Sequence, residues 1–287
     1  MTDREIHRVI DALPSSDGAG VRLKRSLGQS QFARMDPFLM LDEFRSDEAA
    51  DYIGGFPSHP HRGFETVTYM LAGAMLHKDS LGNQGLLRAG DVQWMTAARG
   101  IVHSEMPQQE QGLMHGFQLW INLPASEKMK TPRYQDIPSQ RITEIHEPGL
   151  ALRLIAGEIE RGGERHQGPV SGISTEPSYL DVKLDPGTEF EQSTRPDHSG
   201  VLYLFEGTLE LSGKPLLAGQ AALLSDGDRV RLRAGSEGAR FLLLSARPIR
   251  EPVVQHGPFV MNTREEIEQA VRDFQSGRFV SEAPQMS

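Results

Sequence analysis

The sequence predicts an all-β protein made of a duplicated β-domain, with a single α-helix near its end. Three observations predict it. Short apolar runs, among them "TVTYML", "DVQWM", "FQLWINL", "YLDVKL", "VLYLFEG" and "RFLLLSA", recur between glycine, proline, Asp or Asn, as in a sandwich or barrel. Two segments echo each other: "VTYMLAG" at Val67 leads to "LLRAGDVQWMTAARGIV", and "VLYLFEG" at Val201 leads to "LLAGQAALLSDGDRVRL". The stretch "TREEIEQAVRDFQSG" has helical rather than strand periodicity.

In chain order, the opening "MTDREIHRVIDALPSSDGAG" is charged from its third residue and has no apolar leader, so a soluble cytoplasmic protein is expected. "RLKR", Arg22 to Arg25, reads as a solvated surface. The first copy has a glycine turn at each end of its hairpin, at Gly73 and Gly90; the second has them at Gly207 and Gly219, with a shorter hairpin between. The proline-rich "TPRYQDIPSQRITEIHEP", Thr131 to Pro148, connects the copies. This divides the chain into domains 1–135 and 136–287. In the terminal helix, expected over 264–276, Thr263 and Glu266 have capping-box spacing. Ile267, Ala270, Val271 and Phe274 form one apolar face, and Gly277 stands at the C-terminal cap.

Composition narrows the chemistry. The formal charge is -9, with no dense run of Lys or Arg, which argues against direct nucleic-acid binding. No stretch approaches the ~18 apolar residues of a membrane span. There is no cysteine, so disulfides, thiolate metal sites and cysteine nucleophiles are excluded, and any metal must take nitrogen and oxygen ligands.

The stretch "HPHRGFETVTYMLAG" holds such ligands. Residues two apart on a strand face one way, so His59 and His61 point together and Glu65 shares their parity. In "GIVHSEMP", His103 and Glu105 are also two apart. If both strands face the interior of one barrel, three imidazoles and one or two carboxylates converge there, a set suited to iron, nickel, manganese or zinc. Parity does not choose between Glu65 and Glu105. Matching Val67 to Val201 sets Ser193 and Arg195 opposite His59 and His61, and matching Gly90 to Gly219 sets Leu232 and Ala234 opposite His103 and Glu105. The second copy thus keeps the scaffold without the ligands, and its His198 reads as structural or surface. His77 reads as structural, at a hairpin. His115 either lines the cavity or is a hydrogen-bonded barrel histidine. Trp94, Met95, Phe117 and Trp120 read as core, one or two of them able to meet a flat aromatic substrate.

"GGFPSHPHRGFETVTYMLAG" resembles the first cupin motif, and "GDVQWMTAARGIVH" the second, with Ala98 where proline is usual. Together with "HKDSLGNQG", "AGDVQWMTAARGIVHSE" and "QLWINLP", the chain resembles the pirin family. That resemblance implies a bicupin, two jelly-roll β-barrels with a C-terminal helix, and one mononuclear divalent metal in the first barrel. The metal is usually Fe(II); nickel, manganese, cobalt, copper and zinc suit the same donors. It also implies His59, His61, His103 and Glu105 as ligands, with Glu65 left beside an imidazole whose N–H it accepts. Bacterial pirins resemble flavonol 2,4-dioxygenases, commonly called quercetin 2,3-dioxygenases, which open the central ring with dioxygen and release carbon monoxide. Glu105 would then serve as general base toward a flavonol hydroxyl. Eukaryotic pirins suggest the alternative of an iron-dependent, redox-sensing regulator that binds a protein partner.

Overall fold

The computed structural model describes residues 1–280; the last seven residues of the expected second domain lie outside the described residues. The chain forms two compact β units. In the first unit, strands β1 (Phe56–His61), β2 (Phe64–Ala72), β3 (Ala74–Asp79), β4 (Gln84–Arg88), β5 (Val92–Thr96), β6 (Ile101–Pro107), β7 (Met114–Asn122) and β8 (Arg133–Ile137) build two sheets. One has the order β1-β6-β3-β4, and the other runs β8-β5-β2-β7. Their pairings are antiparallel throughout.

The expected alternation is present on β6: Ile101, His103 and Glu105 are buried, whereas Val102, Ser104 and Met106 are partly exposed. β2 and β5 instead read as continuous buried runs, with Phe64, Val67, Tyr69 and Met70 on β2 and Trp94 and Met95 on β5 fully enclosed. A strand covered on both faces loses the period-two signal.

In the second unit, one large sheet surrounds a core of Leu152, Leu154, Val182, Leu202, Leu204, Phe241 and Leu243. Strand Ile6–Asp11 joins this sheet, antiparallel to Gln220–Leu224.

The units do not follow the expected division at 135/136. The first comprises Pro14–Leu23, Asp42–Pro138 and the chain from Ile249 onward; the second comprises Met1–Leu13, Lys24–Leu41 and Ser139–Pro248. The chain ends are therefore exchanged, and local contacts explain why. Arg4, buried in the second unit, donates to Thr194 Oγ1 (2.8 Å) and to the carbonyls of Arg195 (2.8 Å), His198 (2.7 Å) and Ser225 (3.1 Å). At the other end, helix α1 (Arg264–Gln275) docks on the first unit through Ile267 and Ala270, in a cluster with Phe259, Met261 and Phe279 against which Val102 of β6 packs. Its capping box forms as expected, Glu266 N donating to Thr263 Oγ1 and Thr263 N to Glu266 Oε2. The Thr131–Pro148 stretch is not a bare connection, since β8 pairs with β5 and Thr143–Glu147 pairs with Leu150–Ala156. Among the described residues no helix is long and apolar enough to cross a membrane.

Candidate metal centre

β1 and β6 pair with His59 directly opposite His103 and His61 opposite Ile101. The register, with the parity of each strand, brings three imidazoles to one point. The ring centroids of His59, His61 and His103 lie 4.4–4.9 Å from one another, and their donor nitrogens fall within 4.8 Å. Among the described residues this is the one such group of three.

The ring partners assign the tautomers. His59 Nδ1 donates to the Pro57 carbonyl at 2.8 Å, which leaves its Nε2 as a lone pair. That Nε2 lies 3.0 Å from His61 Nε2, about the separation of two nitrogens bound to one ion at ~2.1 Å and a right angle. His103 Nδ1 meets His77 Nδ1 at 3.3 Å, and His77 Nε2 faces Asp79 Oδ2 at 3.4 Å. Burial raises the Asp79 carboxyl, but hydrogen bonds from His77, Asn83 and Leu81 outweigh it and hold the group below its ordinary value. An ionised Asp79 accepts a hydrogen bond from His77 Nε2–H, His77 Nδ1 then accepts from His103 Nδ1–H, and His103 Nε2 is left bare. This Nε2 is fully buried and has no hydrogen-bond partner.

Burial disfavours the charged form of two of the rings. Burial first, then the charge of His59, pushes His61 well below an ordinary imidazole, against a raising contribution from the Pro258 carbonyl. Burial and then His61, His59 and His77 do the same to His103. Three clustered imidazoles, two of them with an Nε2 lone pair assigned by their ring partners, suit a divalent cation, so the residues present fit a metal.

The carboxylates occupy different places. Glu105 lies outside the 4.8 Å group of histidines; its Oε1 accepts from Thr68 Oγ1 (2.8 Å) and its Oε2 from Gln118 Nε2 (3.0 Å). Glu65 accepts from Thr96 Oγ1 (2.7 Å) and Trp94 Nε1 (3.2 Å) on β5 and has no imidazole partner. Burial raises its pKa, with the Thr96 and Trp94 bonds opposing. It therefore ties β2 to β5, and its shared parity with His59 has no counterpart in contact. His115 pairs with Glu43 Oε1 at 2.9 Å through Nε2 and stands outside the three-histidine group. Of the four aromatic and Met candidates, Trp94, Met95 and Phe117 are core, while Trp120 lies 5.2 Å from the His61 ring and 4.3 Å from Phe64.

His77, read from the sequence as structural at a hairpin, proves to bond His103, a partner the sequence did not foresee. Its signal was the pairing of His77 and Asp79, two apart and thus facing one way; the pairing of β3 with β6, which sets Asp79 opposite His103, is not visible in local spacing.

Ala98 has φ +45°, a conformation closed to proline, whose ring holds φ near −65°. This explains the departure from the usual motif. Gly63, at φ +92°, has no space for a side chain, because a Cβ there would stand 1.9 Å from the Val260 carbonyl oxygen.

Two cupin units, one of them gathering three histidines at a metal-competent point, define a bicupin. A pirin family model matches residues 20–121, and a model of the pirin C-terminal cupin domain matches residues 179–280. The chain belongs to the pirin family. It is 49% identical over 280 residues to a pirin-like protein of Caulobacter vibrioides, covering 97% of this chain and 100% of the relative. It is 48% identical over 278 residues to a Pseudomonas aeruginosa protein provisionally named a quercetin 2,3-dioxygenase, covering 96% and 97%. Its fold matches the crystal structure of quercetin 2,3-dioxygenase from Acinetobacter baumannii with a TM-score of 0.87 and 33% identity, over 96% of this chain and 98% of that one.

Proposed function

We propose that the protein is a metal-dependent dioxygenase acting on quercetin-like flavonols, opening the central ring with dioxygen and releasing carbon monoxide. The observation that carries this reading is the convergence of three imidazoles, His59, His61 and His103, whose donor nitrogens lie within 4.8 Å of one another, with His103 Nε2 buried and unpartnered. The names of the Pseudomonas and Acinetobacter proteins support the substrate class. We take Fe(II) as the metal, held by His59, His61 and His103 with Glu105 as the fourth ligand. When bound, such an ion lowers the pKa of a coordinated hydroxyl and templates electron transfer to oxygen.

The remaining roles fall to the chain. Asp79 and His77 keep His103 in the tautomer that offers Nε2. Pro57 does the same for His59. Thr68 and Gln118 each occupy one oxygen of Glu105, which orients the carboxylate and leaves it lone pairs with which to take the flavonol hydroxyl proton. Phe64 and Trp120 flank His61 with apolar rings suited to a flat aromatic substrate.

The test is aerobic quercetin turnover by protein loaded anaerobically with iron, following flavonol absorbance and released carbon monoxide, beside His59→Ala. Metal-dependent loss with carbon monoxide is expected. Stable quercetin with iron still bound would overturn the activity and favour the redox-sensing alternative.

A further inference from the structure

The second unit contains a cavity of about 530 Å³ to which nothing above assigns a role. Its position in the fold follows from strand register. In the first unit Ile101 pairs with His61 and His103 with His59. In the second, Val230 pairs with Gln192 and Leu232 with Phe190. With Gly219 matched to Gly90, Gln192 therefore stands at the position of His61 and Phe190 at that of His59. This corrects the sequence-based match to Ser193 and Arg195. The connection after the strand Glu189–Ser193 is three residues longer than the one joining β1 to β2, and these extra residues displaced the match.

The longer connection delivers His198 to the cavity wall. Buried Arg4 fixes it, binding Thr194 Oγ1 and the Arg195 and His198 carbonyls. His198 and Gln192 are each 3% exposed, and both line the cavity. His198 Nδ1 pairs with Ser245 Oγ at 3.3 Å, whereas its Nε2 has no partner; Gln192 Nε2 donates to the Ser193 carbonyl at 3.1 Å, whereas its Oε1 has no partner. A buried polar atom left unpaired inside a well-packed barrel calls for a ligand.

The wall also states what kind of ligand. Leu180, Leu243 and Ile173 offer apolar surface. Arg195, the cation of the lining, is already paired with Glu176, and Glu158 and Glu160 add negative charge, so an anion is disfavoured. Burial, then Arg195, holds His198 below an ordinary imidazole, so it meets the ligand neutral. We propose that the second barrel is a binding site for a neutral, largely apolar molecule bearing a hydroxyl, of the phenol class, whose O–H donates to Gln192 Oε1 and whose polar edge meets His198 Nε2. A free carbonyl acceptor requires a donor, and a hydroxyl also serves either tautomer of the histidine. The volume accommodates one or two fused rings.

The test uses the full-length, metal-free protein and 6-fluoro-2-naphthol, with 2-fluoronaphthalene as the probe lacking the hydroxyl, followed by fluorine NMR. The naphthol is expected to bind at one site, and loss of the hydroxyl to weaken binding about tenfold or more. Gln192→Leu and His198→Phe should each weaken the naphthol about tenfold while leaving the fluoronaphthalene unchanged, and His59→Ala should change neither. Ser245→Ala, a smaller change on the same wall, provides a reading if either variant fails to fold, and should weaken the naphthol alone. No naphthol binding, equal binding of both probes, or loss confined to His59→Ala would overturn the proposal.

Discussion

His77 and His103 meet Nδ1 to Nδ1 at 3.3 Å, with Asp79 behind His77 at 3.4 Å, so the proton order of a whole chain of groups is set by one carboxylate. The ring of His77 is in turn stacked on Tyr134, centroids 4.7 Å apart. Orientation and tautomer of His103 are thereby fixed from outside the three-histidine cluster.

His77→Phe keeps the stacking surface and removes the acceptor. It should lower affinity for a divalent metal by about 10–100-fold, measured by competition with a chelating dye. Asp79→Asn should give a smaller loss in the same direction, because the histidine then chooses its own tautomer. Unchanged affinity in both variants would reduce His77 to a packing residue.

Glu105→Gln should retain metal on the three histidines but lower flavonol turnover by about 10²–10⁴-fold, the range for loss of a general base. Thr68→Val, which frees one Glu105 oxygen without touching the carboxylate charge, should cost far less. Steady-state rates with metal content measured on the same samples separate the two.

Lys128 is fully enclosed, with Nζ donating to the Gly63 carbonyl (2.6 Å), Asn122 Oδ1 (2.6 Å) and the Val260 carbonyl (3.0 Å). Burial pushes it down from 10.5 to about 7. Between these values the unfolded chain holds one proton more than the folded one, so stability rises with pH, by up to about 1.4 kcal/mol per unit. Below pH 7 both states carry the proton, and this contribution is flat. Urea midpoints at pH 7 and pH 9 should show the rise in the wild type and not in Lys128→Met.

Ala98→Pro should destabilise the protein by at least about 3 kcal/mol, since φ +45° is unavailable to proline, whereas Ala98→Gly should change stability by less than about 1 kcal/mol. Gly63→Ala should resemble the proline variant, because its Cβ would drive Val260 off the first unit. Thermal melts of the three variants test the ordering.

The three-histidine cluster was legible because strand parity and a shared motif are local: His59, His61 and His103 could be aligned on one face without knowing the fold. Glu65 and Glu105 could not be told apart that way, since each has the right parity and only the neighbouring strand reveals that Glu65 serves Trp94 and Thr96. His77 was obscured for the same reason. The match of the two copies slipped by three residues at Ser193 because an inserted connection shifts an ungapped comparison without disturbing either hydrophobic pattern. The helix was legible from its cap and its 3.6-residue period, but its destination was not. What it docks on is decided by Arg62, which pairs with Asp273 at 2.8 Å and lies 4.4 Å over the Phe279 ring, contacts that span more than 200 residues of chain.

The exchange of chain ends bears on synthesis. A nascent chain that has emerged through Pro138 already contains all three histidines, yet the segment that covers Val102 and binds Lys128 is still untranslated. The barrel with the three histidines must therefore wait, incomplete and with apolar surface exposed, until the other barrel has been made. Splitting the coding sequence at the visible junction would yield two halves that each lack a piece held by the other. A permuted gene, joining the two ends of this sequence and opening at exposed Pro138, would test whether the order of manufacture matters to the finished protein.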